Sequence, residues 1–379
     1  MAGVSVFERR STRLVGVDVA RCLALLGMIA THVAVARDPD GSLSTLQWIA
    51  GGRASALFAV LAGVSLAIIS GRRTPVAGAA RGRLSLAIVV RAVALVMIGL
   101  ALAELGTGIA VILAYYGVLF VLALPFLGLG ARALLVLAVA WACVLPVVSH
   151  VVRPLLPDRQ FANPDLDQLA APGRLAAELL LTGYYPALPW VAYVLLGLGL
   201  GRLDLTRPVI QARIAAAGLV VAAGTTVASG FLARRAGFTD VELDAVAGGM
   251  FGQTPTDDWS WLLLVAPHST TPFDLLQTGG SAAAVLGLCL LVVGRLRAVA
   301  PDAERAVAII FGAGTMTLTL YVLHVVLRET LVTPEDDQAL LWHVVIVLWV
   351  GGLFVALRRR GPLEWLVGLV PDLLRGSRS

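Results

Sequence analysis

Runs of about 18–22 mostly apolar residues recur along the whole chain, divided by short segments where Arg, Asp, Glu, Gly and Pro collect. As a helix, each run is long enough to cross a hydrocarbon layer about 30 Å thick. The pattern predicts helices near residues 14–35, 53–70, 84–104, 108–127, 131–151, 185–201, 209–231, 281–298, 306–327 and 339–357. The expected fold class is all-α: a polytopic integral membrane helical bundle of about ten or eleven transmembrane helices. Residues 1–379 read as a single transmembrane domain. Within it, 1–13 is expected as a cytoplasmic N-terminus, 232–280 as a long extracytoplasmic loop and 358–379 as a cytoplasmic amphipathic tail. In the long loop, Trp259–Ala266 is apolar enough to dip into the outer leaflet.

Composition agrees with this pattern: 58% of residues are hydrophobic and 14% charged, with a mean hydropathy of +0.87. The net charge of +5 reflects topology rather than nucleic-acid binding. With the N-terminus inside, about 20 of the 29 Arg fall on the cytoplasmic side, and most acids fall in the opposite loops. Both termini are then cytoplasmic. Arg9–Arg13, an apolar run and Ala34-Val35-Ala36 imitate a signal peptide, but Asp18 and Arg21 interrupt its apolar core, so retention as a span is expected. Cys22, Cys143 and Cys289 lie in apolar runs without paired or metal-type spacing, which predicts neither a disulfide framework nor a metal site.

The first apolar run breaks its own pattern. Asp18, Arg21 and His32 lie inside it and share one helical stripe, with His32 about 16 Å beyond Arg21. Ionisable groups in a span are costly and point to a bundle-facing functional role. The alternative is that Asp18 and Arg21 neutralise each other at the inner boundary while His32 caps the outer one. A second polar stripe joins Thr317, Tyr321, His324 and Arg328, and it has packing as its alternative. Tyr115-Tyr116 and Tyr184-Tyr185 read as interfacial aromatics, and His150 and His343 as interfacial or packing residues.

The series Arg13-Leu14-Val15-Gly16-Val17-Asp18-Val19-Ala20-Arg21, followed by ten residues and then His32, resembles the opening span of the transmembrane acyltransferases. In the acyltransferase-3 family an Arg-x10-His pair occupies the first helix and the His is regarded as catalytic. The wording here is more similar to the heparan-α-glucosaminide N-acetyltransferase family, which typically opens Arg-Leu-x-Ser-Val-Asp-x-x-Arg-Gly. Gly52–Gly63, Gly314–Tyr321 and Arg360–Trp365 are similar to the same family and its bacterial relatives. Two departures stand out. The eukaryotic enzyme has Asn at the position of His32 and its proposed catalytic His in the following loop, whereas residues 33–52 here contain no His; Cys22 replaces the usual Gly.

The resemblance implies an acyltransferase that moves an acyl group, acetyl in the first instance, from cytosolic acyl-coenzyme A to an extracytoplasmic sugar, glycolipid or other envelope acceptor. It implies a bacterial inner membrane location, with acetyl-coenzyme A as co-substrate and no metal. His32, Arg21 and Asp18 are the expected catalytic set, with His32 as base or acyl carrier. Arg53, His268, Tyr321 and His324 are the expected acceptor-side residues, and Glu104 a partner for His32 or Arg53. Arg72, Arg73, Arg81 and Arg83 form the densest basic loop, and Arg grips coenzyme phosphates through paired donors. Monomer and homodimer both fit. The rival class is a secondary transporter or lipid flippase, which predicts broken spans with acids at mid-membrane in two related halves.

Overall fold

The computed structural model describes residues 14–330 and 338–375; the expected N-terminal segment 1–13 and the acids Glu335–Asp337 lie outside the described residues. Helix α1 (Val15–Val33) opens the bundle and carries the Asp18–His32 stripe. After a turn come α2 (Thr45–Ala50), capped by the Ser44 side chain, and α3 (Arg53–Ile69). Next are α4 (Gly78–Ala103), α5 (Leu113–Ala123) and α6 (Ala131–Val152). The short α7 (Pro172–Ala177) runs into a π-turn at Glu178–Thr182, and α8 (Ala187–Gly201) follows at a bend of 51°. Then come α9 (Pro208–Arg235), α10 (Asp240–Ala247) and α11 (Pro272–Val299). The chain ends with α12 (Pro301–Ile310), α13 (Thr317–Thr330), α14 (Ala339–Ala356) and α15 (Pro362–Arg375).

Among the described residues, seven helical segments are long and apolar enough to cross a membrane, or eight if the bent α7–α8 pair is one span. The expected count of about ten is not confirmed, because two of the predicted runs are interrupted. The predicted span 108–127 is an 11-residue helix that Leu124-Pro125 converts into a 3-10 turn ending at Gly128. The predicted span 306–327 is cut by a 3-10 turn at Gly312–Thr315, which separates α12 from the 14-residue α13. That turn packs onto α1 and α14 because Gly312 and Gly314 lack a Cβ. A methyl at Gly314 would collide with the carbonyl oxygen of Asp18, and one at Gly312 with that of Gly351.

The core lies where α1, α3 and α8 meet, and Leu25, Ile29, Leu61 and Trp190 are fully buried there. Helices α3 and α8 approach closely at Gly63 and Gly197, whose backbones touch, the small-residue device of membrane bundles. Helices α6, α9 and α14 keep most of their apolar surface on the outside, as lipid-facing helices do. At the end of the bundle where α1 begins, buried Arg202 ties three elements together. Its Nη1 donates to the carbonyls of Ala67, Ser70 and Arg72 (3.3, 3.3 and 2.6 Å). Its Nη2 donates to Ser70 Oγ at 3.0 Å and to the Leu127 carbonyl at 2.6 Å.

The connection from α10 to α11 enters the bundle. A 3-10 turn at Trp259–Leu263 leads into an extended stretch in which Leu264, Ala266, Ser269, Thr270 and Thr271 are buried. The tyrosines expected at the interface are interior instead: Tyr115, Tyr116 and Tyr185 are buried, because α5 is short and packs between α4 and α8.

Candidate active site

Helix α1 places its two ionisable ends in different surroundings. Near its start, Arg21 Nη1 donates to Asp18 Oδ1 at 3.0 Å, while Nη2 donates to Ser65 Oγ on α3 at 2.6 Å. Arg21 lines a cavity of about 320 Å³. Ser65, Arg91, Tyr116, Tyr321 and Glu364 also line it, among apolar side chains of α3, α4 and α5. Phe58 and Ile69, both on α3, mark its extent along the bundle, about 16 Å by helical rise. Glu364 of α15 caps α13. Its Oε1 accepts from the Leu318 and Thr319 amides (2.7 and 3.2 Å), and its Oε2 from Thr319 Oγ1 (2.6 Å). A carboxylate at a helix N-terminus satisfies otherwise orphaned amides and the local dipole. The tail helix is thus docked against α4 and α13.

At the other end of α1, His32 Nδ1 lies 3.2 Å from His324 Nε2, the two rings nearly coplanar at 7°. His324 Nδ1 lies 3.0 Å from His343 Nδ1 on α14, the rings crossing at 75°. His324 and His343 are fully buried. Tyr321, one turn before His324, lines the cavity and accepts a hydrogen bond from the Ile112 amide at 3.2 Å. The Arg328 guanidinium interacts electrostatically with all three imidazoles. His268, in the inserted connection, interacts electrostatically with His32 and lies parallel to Trp190 at 6.2 Å. Its backbone takes a positive φ of 57°, and burial pushes its pKa down to about 4.

The family model of heparan-alpha-glucosaminide N-acetyltransferase, catalytic, matches residues 13–219, more than half of the chain. The chain belongs to this family of acetyltransferases. No curated protein matches it. The family match includes Asp18, Arg21, His32, Arg53, Ser65 and Arg91; His268, His324, His343 and Glu364 come from the remainder of this acetyltransferase-family chain.

Other expected residues are dispersed. Arg53 Nη1 donates to the Trp48 carbonyl at 2.5 Å and lines a separate cavity of about 300 Å³ with Gln47, Trp48 and Asp274. Glu104, expected near His32 or Arg53, accepts instead from the Leu166 amide at 3.0 Å, because it caps α4 beside the 157–171 connection. Arg81 Nη2 donates to the Pro125 carbonyl at 3.0 Å, and Arg73 pairs with Asp204 at 3.5 Å. The cations lining the Arg21 cavity are Arg21 and Arg91; Arg72, Arg73, Arg81 and Arg83 are not among its lining residues. His150 packs against Trp259 with ring centres 4.6 Å apart. Among the described residues, no group of His, Cys, Asp and Glu is arranged to hold a metal ion.

Sequence reasoning missed His343, Ser65, Arg91 and Glu364 as site residues. His343 begins the second turn of α14 and gains its partner only through the antiparallel packing of α13 on α14. The one available signal was that all three imidazoles lie near the ends of apolar runs on the same side of the predicted bundle.

Proposed function

We propose that this protein transfers an acetyl group from acetyl-coenzyme A, entering from the cytoplasmic side, to a sugar, glycolipid or other envelope acceptor on the opposite side. His32 acts as base or acyl carrier. The observation that supports this most strongly is the cavity that starts at Arg21 and Arg91 and reaches Tyr321, one turn from the His324–His32 pair. Its narrow, mostly apolar wall suits the flexible arm of a coenzyme, and the exposed Arg73 and Arg83 suit the phosphates.

In the direct route, His32 takes the proton of an acceptor hydroxyl or amine. The freed oxygen or nitrogen bonds to the thioester carbonyl carbon, the carbon–sulfur bond breaks, and the thiolate leaves and takes up that proton. In the carrier route, His32 Nε2 bonds the thioester carbonyl carbon, the carbon–sulfur bond breaks and coenzyme A leaves as thiolate; the acceptor then bonds the acyl carbon as the carbon–nitrogen bond breaks, and its proton passes to the thiolate. Arg21, fixed by Asp18 and Ser65, contributes a stationary positive charge to the donor path. Arg53 and His268 are the proposed acceptor contacts, with Tyr321 and His324 between the two substrates. The membrane is the bacterial cytoplasmic membrane, with both termini inside.

The bent α7–α8 pair and the break before α13 favour the transporter alternative, since broken helices frame transport sites. One experiment separates the two. Purified protein is incubated with radiolabelled acetyl-coenzyme A and an extract of envelope lipids and sugars. Label in an acceptor, lost on His32→Ala, is expected. Absence of both coenzyme binding and label transfer overturns the enzyme reading, and full-rate transfer by His32→Ala overturns the assignment of His32.

A further inference from the structure

Three imidazoles stand in series, not around a point. His32 Nδ1 meets His324 Nε2 at 3.2 Å, and His324 turns its other nitrogen, Nδ1, to His343 Nδ1 at 3.0 Å. A metal bound by all three would need one nitrogen from each ring to converge, and His324 presents opposite nitrogens to its two neighbours. The arrangement is therefore a hydrogen-bond chain. Each link needs one donor and one acceptor. Both links are satisfied at once when each neutral ring carries one N–H.

Such a chain has two states. Either role of His32 needs a lone pair on Nε2, because Nδ1 is occupied by His324. His32 then carries its hydrogen on Nδ1 and donates it to His324 Nε2. His324 in turn carries N–H on Nδ1 and donates to His343 Nδ1, which leaves the His343 hydrogen on Nε2. In the other state all three rings are reversed. Turning one ring alone would oppose two N–H groups or two lone pairs inside a buried site, so the tautomers change together or not at all. The far end is buried too: His343 Nε2 has no hydrogen-bond partner among the described residues.

We propose that His324 and His343 are positioning residues that hold His32 in the tautomer with an unprotonated Nε2, the state of His343 being passed through His324. This rests on the reading of His32 as base or acyl carrier in acetyl transfer. His324 and His343 hold the proton pattern through two hydrogen bonds in series and need not touch either substrate.

The test uses the full chain, labelled with nitrogen-15 at histidine and held in lipid nanodiscs. The chain has 5 His, so single substitutions assign every ring. Wild-type His32 is expected as the Nδ1–H tautomer. His343→Phe keeps an aromatic ring but removes the acceptor; it is expected to give His32 mixed tautomers. Its kcat for acetyl transfer should fall about tenfold or more, with KM for acetyl-coenzyme A changed less than about twofold. His343→Gln, whose amide accepts or donates, should restore the rate to within about threefold of wild type. Wild-type His32 found as Nε2–H overturns the proposal and needs no folded variant. So does a His343→Phe protein with wild-type rate and unchanged His32 signals. Tautomer coupling in a protein that transfers no acetyl group supports the chain and overturns the acetyl-transfer reading on which its purpose rests.

Discussion

Arg21 and Arg202 sit near the same end of the bundle and do different work. Arg21 divides its guanidinium between Asp18 and Ser65 and keeps one face on the cavity, so it is both neutralised and available. Arg202 is buried and closes only on backbone carbonyls and Ser70, which makes it a tie between α3, α8 and the turn after α5. Replacing Arg202 by Lys keeps the charge but loses the fork. A loss of about 2–4 kcal/mol is expected, seen as a lower thermal unfolding midpoint in detergent, with little change in KM for the donor. Arg21→Lys should do the reverse: near-wild-type stability, with donor turnover lowered about tenfold or more. The Arg21 stripe was legible because charges inside an apolar run are conspicuous. Arg202 was legible only as one more positive residue of an inner loop, since carbonyl partners leave no mark in a sequence.

At the scale of elements, the connection between α10 and α11 holds His268 by burial and not by a partner charge. Burial depresses its pKa from about 6.5 to about 4, so the opened segment binds more protons than the closed one between those values. Its closed state is fully favoured above about pH 6.5 and is lost as pH falls towards 4. Hydrogen exchange of residues 264–271 should therefore accelerate on acidification through that window. His268→Asn, which tolerates the positive φ and does not titrate there, should flatten the response. That a connection carrying its own aromatics precedes α11 was legible from spacing; the packing of His268 against Trp190 was not, because that contact joins segments far apart in the chain. The same limit explains the broken ninth span. Hydropathy runs smoothly across Gly312–Thr315, while the break depends on α1 and α14 accepting a bare backbone. Gly314→Val should push that turn off Asp18, destabilising the protein by about 1–3 kcal/mol and reducing acetyl transfer in parallel.

For the whole molecule, the all-helical fold class was legible in the periodicity, whereas the site came from packing. His32 is separated from His324 and His343 by most of the chain, and the three meet only when α13 and α14 close against α1. In a Cys143→Ala background, where Cys22 and Cys289 are buried, single cysteines at Ser42 and Thr74 test the orientation. A membrane-impermeant maleimide on intact cells should label Ser42→Cys, and Thr74→Cys only after permeabilisation; the opposite pattern would invert the assigned topology. In the proposed reaction an acetyl group passes through the bundle from the Arg21 end to the His32 end. Its most direct test is sided: sealed proteoliposomes of one orientation, with labelled acetyl-coenzyme A on the Arg21 face and acceptor only on the His32 face. Labelled acceptor across the bilayer, abolished by His32→Ala, is expected. Transfer only when donor and acceptor share a face, or no transfer in either arrangement, would contradict it.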